Sequence, residues 1–330
     1  MNNSRLKKIF LLIGIGALLL TIIFLRHSPT RTEAKSGLIV ETAHLDMLPP
    51  HHHSPGDAVS DIWHHYTVYS PVVTAPRDMY ISEMHFEFFN APTSTVHHTS
   101  FADISKDNTT CPNMTSWREL FSYASDRMSN NDIKFPDGYA LKIDKGTPLQ
   151  LYLMVHNPEP PLGEGDTYHD VYTKMILKES PQDPKHLKLV IPHLLHLDDQ
   201  ACKWAQADRS DSLIFTVPPL KRNYTYSAEG KSDLSASMTF KKPATIMNVT
   251  GHLHPWQGGK DVVLHKNDDV AHVFRSTLSS IPYLYFTPYS TSTFRVNAGD
   301  TLWISSTYDN PYATPIRGAM GMAGFYYSED

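Results

Sequence analysis

Ala244-Thr245-Ile246-Met247-Asn248-Val249-Thr250-Gly251-His252-Leu253-His254-Pro255 reads as a strand that ends in two imidazoles. Ile246, Met247 and Val249 give the run its apolar, strand-like character, and Pro255 with Gly258-Gly259 supplies the turn that stops it. Residues i and i+2 of a strand share a face, so His252 and His254 can both reach one ion. The bland alternative is a pair of histidines on the wet side of a sheet. Working outward, the ordered histidines and one late methionine are His97-His98, His156, His252, His254 and Met320. That order spells two metal sites, one per half of the chain: three imidazoles in the first, two imidazoles and a thioether in the second. A thioether donor points to copper that visits its reduced state, because zinc, magnesium and calcium rarely recruit methionine.

Each member of the set also has an ordinary reading. Neighbouring strand residues face opposite ways, so His97 and His98 can share an ion only where a bulge or a strand end turns the backbone. His156 closes the apolar run Leu151-Tyr152-Leu153-Met154-Val155, where a lone histidine is more often a core residue than a ligand. Met320 and Met322 precede an apolar terminal strand, where methionine is normally core filler. His193 and His196 sit in the apolar run Leu187 to Leu197 and read as structural. The tract His51-His52-His53 and the pair His64-His65 read as solvated before they read as metal-binding.

Around these residues the chain is a succession of short apolar or alternating segments. They fall at Tyr66–Tyr69, Tyr80–Phe89, Ala140–Ile143, Leu149–His156 and Tyr168–Leu177, then at Leu187–Leu197, Leu213–Val217 and Ala244–Leu253. Further segments follow at Val262–His265, Tyr283–Phe286, Phe294–Val296, Thr301–Ser306 and Met322–Tyr327. Pro- and Gly-rich turns separate them, which predicts a mostly β protein of β-sandwiches or jelly rolls, and the length fits two such β-sandwich domains. One stretch departs from the pattern. Trp117, Leu120, Phe121 and Ala124 fall at helical spacing behind Ser116, and predict a helix there. Ser180-Pro181-Gln182-Asp183-Pro184 is the best internal boundary.

The predicted organisation is a cytoplasmic tip and membrane anchor over residues 1–25, and a His/Pro-rich spacer over 26–58. An N-terminal β-sandwich follows over 59–184 and a C-terminal β-sandwich over 185–330. The anchor is Ile9–Leu25, an uninterrupted apolar run behind Arg5, Lys7 and Lys8. It is longer than a usual signal-peptide core and lacks a convincing cleavage site, although Thr32-Glu33-Ala34 leaves a cleaved signal open. The basic flank puts the N-terminus in the cytoplasm and the main body outside it. A net charge of −5 and the lack of a later basic run argue against nucleic acid as a partner. Outside the cytoplasm Cys111 and Cys202 are expected to form a disulfide bond, with two buried free thiols as the alternative. Asn108, Asn113, Asn223 and Asn248 each open a glycosylation sequon, and Asn248 lies too close to the histidine pair to be expected to carry a sugar.

Five stretches in order carry a family resemblance. They are Val96-His97-His98-Thr99-Ser100-Phe101, Leu153-Met154-Val155-His156-Asn157-Pro158 and Gly251-His252-Leu253-His254. The last two are Ala298-Gly299-Asp300-Thr301-Leu302 running into Thr307-Tyr308-Asp309-Asn310, and Gly318-Ala319-Met320-Gly321 before Phe325-Tyr326-Tyr327. From about residue 60 onward the chain resembles the copper type II, ascorbate-dependent monooxygenases, the group of peptidylglycine α-hydroxylating and dopamine β-monooxygenases. The resemblance implies two jelly rolls facing across a cleft, with one copper on each. His97, His98 and His156 would hold the electron-supplying copper. His252, His254 and Met320 would hold the copper at which O2 is used to hydroxylate an aliphatic C–H bond of a small substrate. Ascorbate or another one-electron donor would reload both. The chain departs from the peptide-amidating members in having Thr250 where they carry a carboxylate-gripping arginine, and Met322 and Gly324 where they carry asparagine and tyrosine. A peptide carboxylate thus has no partner. Ser306 replaces a family cysteine, and the shorter step from Met320 to the tyrosines leaves Met322 open as the sulfur ligand. The rival expectations are a non-catalytic copper-binding protein for storage or delivery, and a membrane-tethered recognition module without metal.

Overall fold

The computed structural model describes residues 36–47, 66–92, 95–105, 118–124, 132–155, 168–197, 215–228, 236–253, 258–275, 290 and 293–330. The apolar run Ile9–Leu25 on which the membrane anchor was expected lies outside them, and among the described residues no helix is long and apolar enough to cross a membrane.

The described residues are mostly β. In chain order the strands are β1 Ser36–Glu41, β2 Leu45–Met47, β3 Tyr66–Tyr69, β4 Val73–Thr74, β5 Met79–Phe89, β6 Val96–Asp103, β7 Arg118–Ala124, β8 Asp132–Lys134, β9 Tyr139–Ile143, β10 Pro148–Val155 and β11 Tyr168–Glu179. They continue as β12 Lys188–His196, β13 Phe215–Val217, β14 Lys221–Ser227, β15 Ser237–Thr239, β16 Ala244–Leu253, β17 Gly259–Lys266, β18 Asp269–Arg275, β19 Phe294–Val296, β20 Thr301–Asn310, β21 Ile316–Ala319 and β22 Gly321–Glu329.

One ten-stranded sheet, in the order β1-β11-β5-β9-β12-β22-β16-β19 with β2 and β8 on its flanks, runs through both halves of the chain. Its centre is a parallel joint, in which Lys188, Leu189 and Val190 pair with Tyr139, Ala140 and Leu141. Two smaller sheets cover it, β3-β10-β6-β7 with β4 over the first half and β14-β20-β17-β18 with β15 over the second. Alternation explains the layering. In β10, Leu149, Leu151, Leu153 and Val155 are fully buried while the residues between them are not. They close the first core together with Met84, Phe86, Leu141 and Met175 of the large sheet. The second core joins Leu195, Ile246, Ala323 and Phe325 to Val262, Leu264, Ile304 and Tyr308 of the smaller sheet.

Two sequence expectations are corrected. Residues 36–47, placed in the spacer, form β1 and β2, which pair with β11. The pairing wins because Val40 and Met47 enter the first core at no more than 1% exposure. The predicted helix over Ser116–Ala124 is instead β7 from Arg118 onward, paired with β6. Its ladder matches Phe101 with Phe121 and Ala102 with Glu119, so Leu120 is an extra residue. That bulge lets the neighbours Leu120 and Phe121 both be buried, which hides the two-residue period and mimics a helical face.

At the boundary read from sequence, Arg77 donates both guanidinium arms to Glu179 at the end of β11. One 3-10 turn, Pro184–His186, then leads into β12, with the Asp183 carboxylate accepting from the Lys185 amide at 3.0 Å.

Candidate metal centre

β22 lies between β12 and β16, and its register decides what stands beside the His-x-His strand. His252 pairs with Met322, and Met322 pairs on its other side with His196. One residue along on either side, Leu253 pairs with Gly321 and Gly251 with Ala323, and Ala323 pairs on its other side with Leu195. The two rows face opposite ways. The Gly251–Ala323–Leu195 row points at the second core: a methyl on Gly251 would strike the Phe274 ring at 2.4 Å, and one on Gly321 would strike the Leu197 side chain at 2.8 Å. On the other face, a methyl on Gly324 would meet Thr250 Cγ2 at 3.1 Å and Leu194 Cδ1 at 3.6 Å. Those residues precede His252, follow Met322 and precede His196 by two, so alternation puts His252, Met322 and His196 on that same face. His196 and His252 are buried, at 2% and 9% exposure, and Met322 is half-buried. Burial holds the His196 imidazole down at about 4, and the half-buried His193, against the Phe325 ring at 5.4 Å, likewise at about 4. Both rings are therefore neutral at pH 7.

Met320, the expected sulfur, takes a different course. Its amide donates to Tyr308 Oη at 3.1 Å and its carbonyl accepts from the same hydroxyl, while its side chain packs against the second core. The methionine beside His252 is thus Met322, the one left open by the sequence. His254 and His156 lie outside the described residues.

The first expected site falls on β6 and the end of β10. Met154 pairs with His98 and Val155 with Val96, so His97 is an extra residue in the ladder. A bulge is the backbone device that adjacent strand histidines need before they can serve one ion. Farther down the same strands, the Ser100 hydroxyl donates to Glu119 at 2.8 Å, and burial raises the Tyr152 phenol above its ordinary range, with Glu119 adding to the shift. β7 connects the two regions: it pairs with β6, His98 against Ala124, and packs against β12.

Two expectations are overturned. Among the described residues no three histidine, cysteine, aspartate or glutamate side chains are grouped to hold a metal ion. Several histidines instead engage acids: His44 contacts Asp170 and Glu41, and His85 contacts Asp132 and Glu87. No disulfide is present among the described residues either, and Cys111 and Cys202 both lie outside them.

His196, read from sequence as structural, stands beside Met322, a neighbour that only the pairing of strands shows.

No family model matches the chain, and no curated protein matches it. Among solved structures it is similar to the major capsid protein of bacteriophage PM2, at 7% identity and a TM-score of 0.32 over 88% of this chain and 98% of that one. It is also similar to peptide:N-glycanase F, at 11% and 0.35 over 89% and 95%, and to a fucolectin from striped bass (Morone saxatilis), at 8% and 0.22 over 89% and 97%. At these scores the likenesses carry no argument about this chain.

Proposed function

We propose that this chain is a copper-dependent monooxygenase that hydroxylates an aliphatic C–H bond of a small substrate, using O2 and a one-electron reductant such as ascorbate. The observation that carries the reading is the pairing of His252 with Met322 across β16 and β22. It sets a buried imidazole beside a thioether on the strand whose sequence ends His-x-His. The donor chemistry fits the metal: neutral imidazole accepts either oxidation state of copper, and a thioether favours the reduced one. In the same reading the two halves are jelly rolls, the bulge at His97 serves a second copper with His98 and His156, and the body stands outside the cytoplasm on an N-terminal anchor.

Bound copper would supply one-electron chemistry between the reductant and O2. The residues of the chain do the rest. His252 and Met322 would hold the metal on the face of the sheet turned away from the second core, and His254 would join them from the end of the same strand. Thr250 and Gly324, the next pair along, present a methyl and no charge. That surface suits an uncharged, largely apolar substrate and gives a carboxylate nothing to bind.

The test is oxygen uptake by the copper-loaded full chain with ascorbate and a panel of small apolar substrates. Uptake that rises with substrate and matches hydroxylated product is the expected result. Bound copper with no substrate-dependent uptake would make the chain a copper carrier and overturn the oxygenase.

A further inference from the structure

We infer that His196 is a further side chain of the second copper centre, forming with His252 and Met322 a row of two imidazoles about one thioether. The inference rests on the copper reading above and adds a residue that the His-x-His motif and its methionine do not include.

The argument begins with register. Met322 faces His252 on one side and His196 on the other, so the three residues form a straight rung across β16, β22 and β12. Directly opposed side chains have Cβ atoms about 4.5–5.5 Å apart. Two strand spacings put the Cα atoms of His196 and His252 about 10 Å apart, a gap that two imidazoles close when each leans inward over the sulfur.

The contrast between the two faces adds weight. The neighbouring rungs on the other face, Leu195–Ala323–Gly251 and Leu197–Gly321–Leu253, are wholly apolar and pack on the second core. The rung that carries His196 has two buried imidazoles and a half-buried thioether instead. Both buried imidazoles flank the same soft donor. Two nitrogens and one thioether form a donor set for Cu(I). Met320 does not compete for this place, because Tyr308 binds its amide and its carbonyl and its side chain joins the second core.

The test uses the full chain loaded anaerobically with Cu(I). Affinity is read by competition with a chromophoric Cu(I) chelator, and the ligand atoms by X-ray absorption at the copper edge. His196→Gln, His252→Gln, Met322→Leu and Met320→Leu keep side-chain volume. We expect His196→Gln to weaken one Cu(I) equivalent about tenfold or more, Met322→Leu to remove the sulfur scatterer, and Met320→Leu to keep it. If His252→Gln weakens that equivalent while His196→Gln leaves affinity and spectrum unchanged, His196 is a packing residue and the copper reading survives without it. Loss of sulfur in Met320→Leu rather than Met322→Leu would overturn the row. A wild-type chain that takes up no Cu(I) would overturn the copper reading together with it. Where His196→Gln lowers the metal-free Tm, the rise in Tm on adding Cu(I) is the readout: its loss supports the assignment, and its persistence at wild-type size overturns it.

Discussion

One phenol fixes one methionine. The Tyr308 hydroxyl donates to the carbonyl of Met320 and accepts from its amide, so a single side chain holds both backbone groups at the joint between β21 and β22. Tyr308 is itself fully buried, edge-on to Phe215 with ring centroids 5.5 Å apart. The joint turns the Met320 side chain toward the second core and starts β22 in the register that sets Met322 beside His252.

Tyr308→Phe keeps the ring and removes both hydrogen bonds. Leaving the Met320 amide and carbonyl without their partner should cost about 1–3 kcal/mol. Denaturant unfolding should show the loss as a lower midpoint at unchanged slope. An unchanged midpoint would mean that the phenol does not hold the joint.

Tyr326 performs a similar service between the halves. It lies on β22, yet its hydroxyl donates to the Leu120 carbonyl of β7 at 2.8 Å, and its ring meets Phe135 edge-on at 5.0 Å. Tyr326→Phe should destabilise by about 1 kcal/mol while leaving the ring packed. Hydrogen exchange should quicken along β7 more than along β20, and equal changes in both would argue against a local tie.

The buried histidines give the metal-free chain a pH dependence of definite sign. His196 has a folded pKa of about 4 against an ordinary 6.5, so the unfolded chain takes up the proton first. Its contribution is fully present above about 6.5 and is lost as pH falls toward 4, an effect on the order of 3 kcal/mol over that window. His193 acts in the same direction. Unfolding midpoints measured between pH 7 and 4.5 should fall, and more gently in His196→Gln. Equal slopes in the two proteins would contradict the burial argument.

Gly258 should tolerate no side chain. Its φ is +83°, and an added methyl would sit 1.9 Å from the Asp309 carbonyl oxygen, in backbone that cannot swing aside. Its own carbonyl accepts from the Asp309 amide at 2.8 Å. Gly258→Ala should cost at least about 1–3 kcal/mol by strain alone, with a matching fall in Tm. Wild-type stability in that variant would show that the backbone of Gly258 does not lie against Asp309 as described.

Asn248 illustrates how far one strand can be read in advance. The expected strand Ala244–Leu253 has those bounds in the structure, because its apolar residues and the proline turn are local signals. The bulge within it is not local. Met247 pairs with Tyr326 and Thr250 with Gly324, so two residues share one rung, and Asn248 takes a φ of +49°. Its side-chain amide then donates to the Lys134 carbonyl at 3.2 Å, and at 5% exposure it offers no place for a glycan, in line with the doubt raised by its neighbours in sequence. The bulge at Leu120 had the opposite effect on the reading, turning a strand into an apparent helix. Register between strands was illegible throughout, since it belongs to pairs and a sequence lists residues singly. That is why the pairing of Met322 with His252 on one side and His196 on the other is visible only in the folded chain.

The parallel joint of Lys188–Val190 with Tyr139–Leu141 makes the large sheet a common beam for both halves. A swing of one half against the other would have to shear that ladder. Such a frame trades adaptability for constancy.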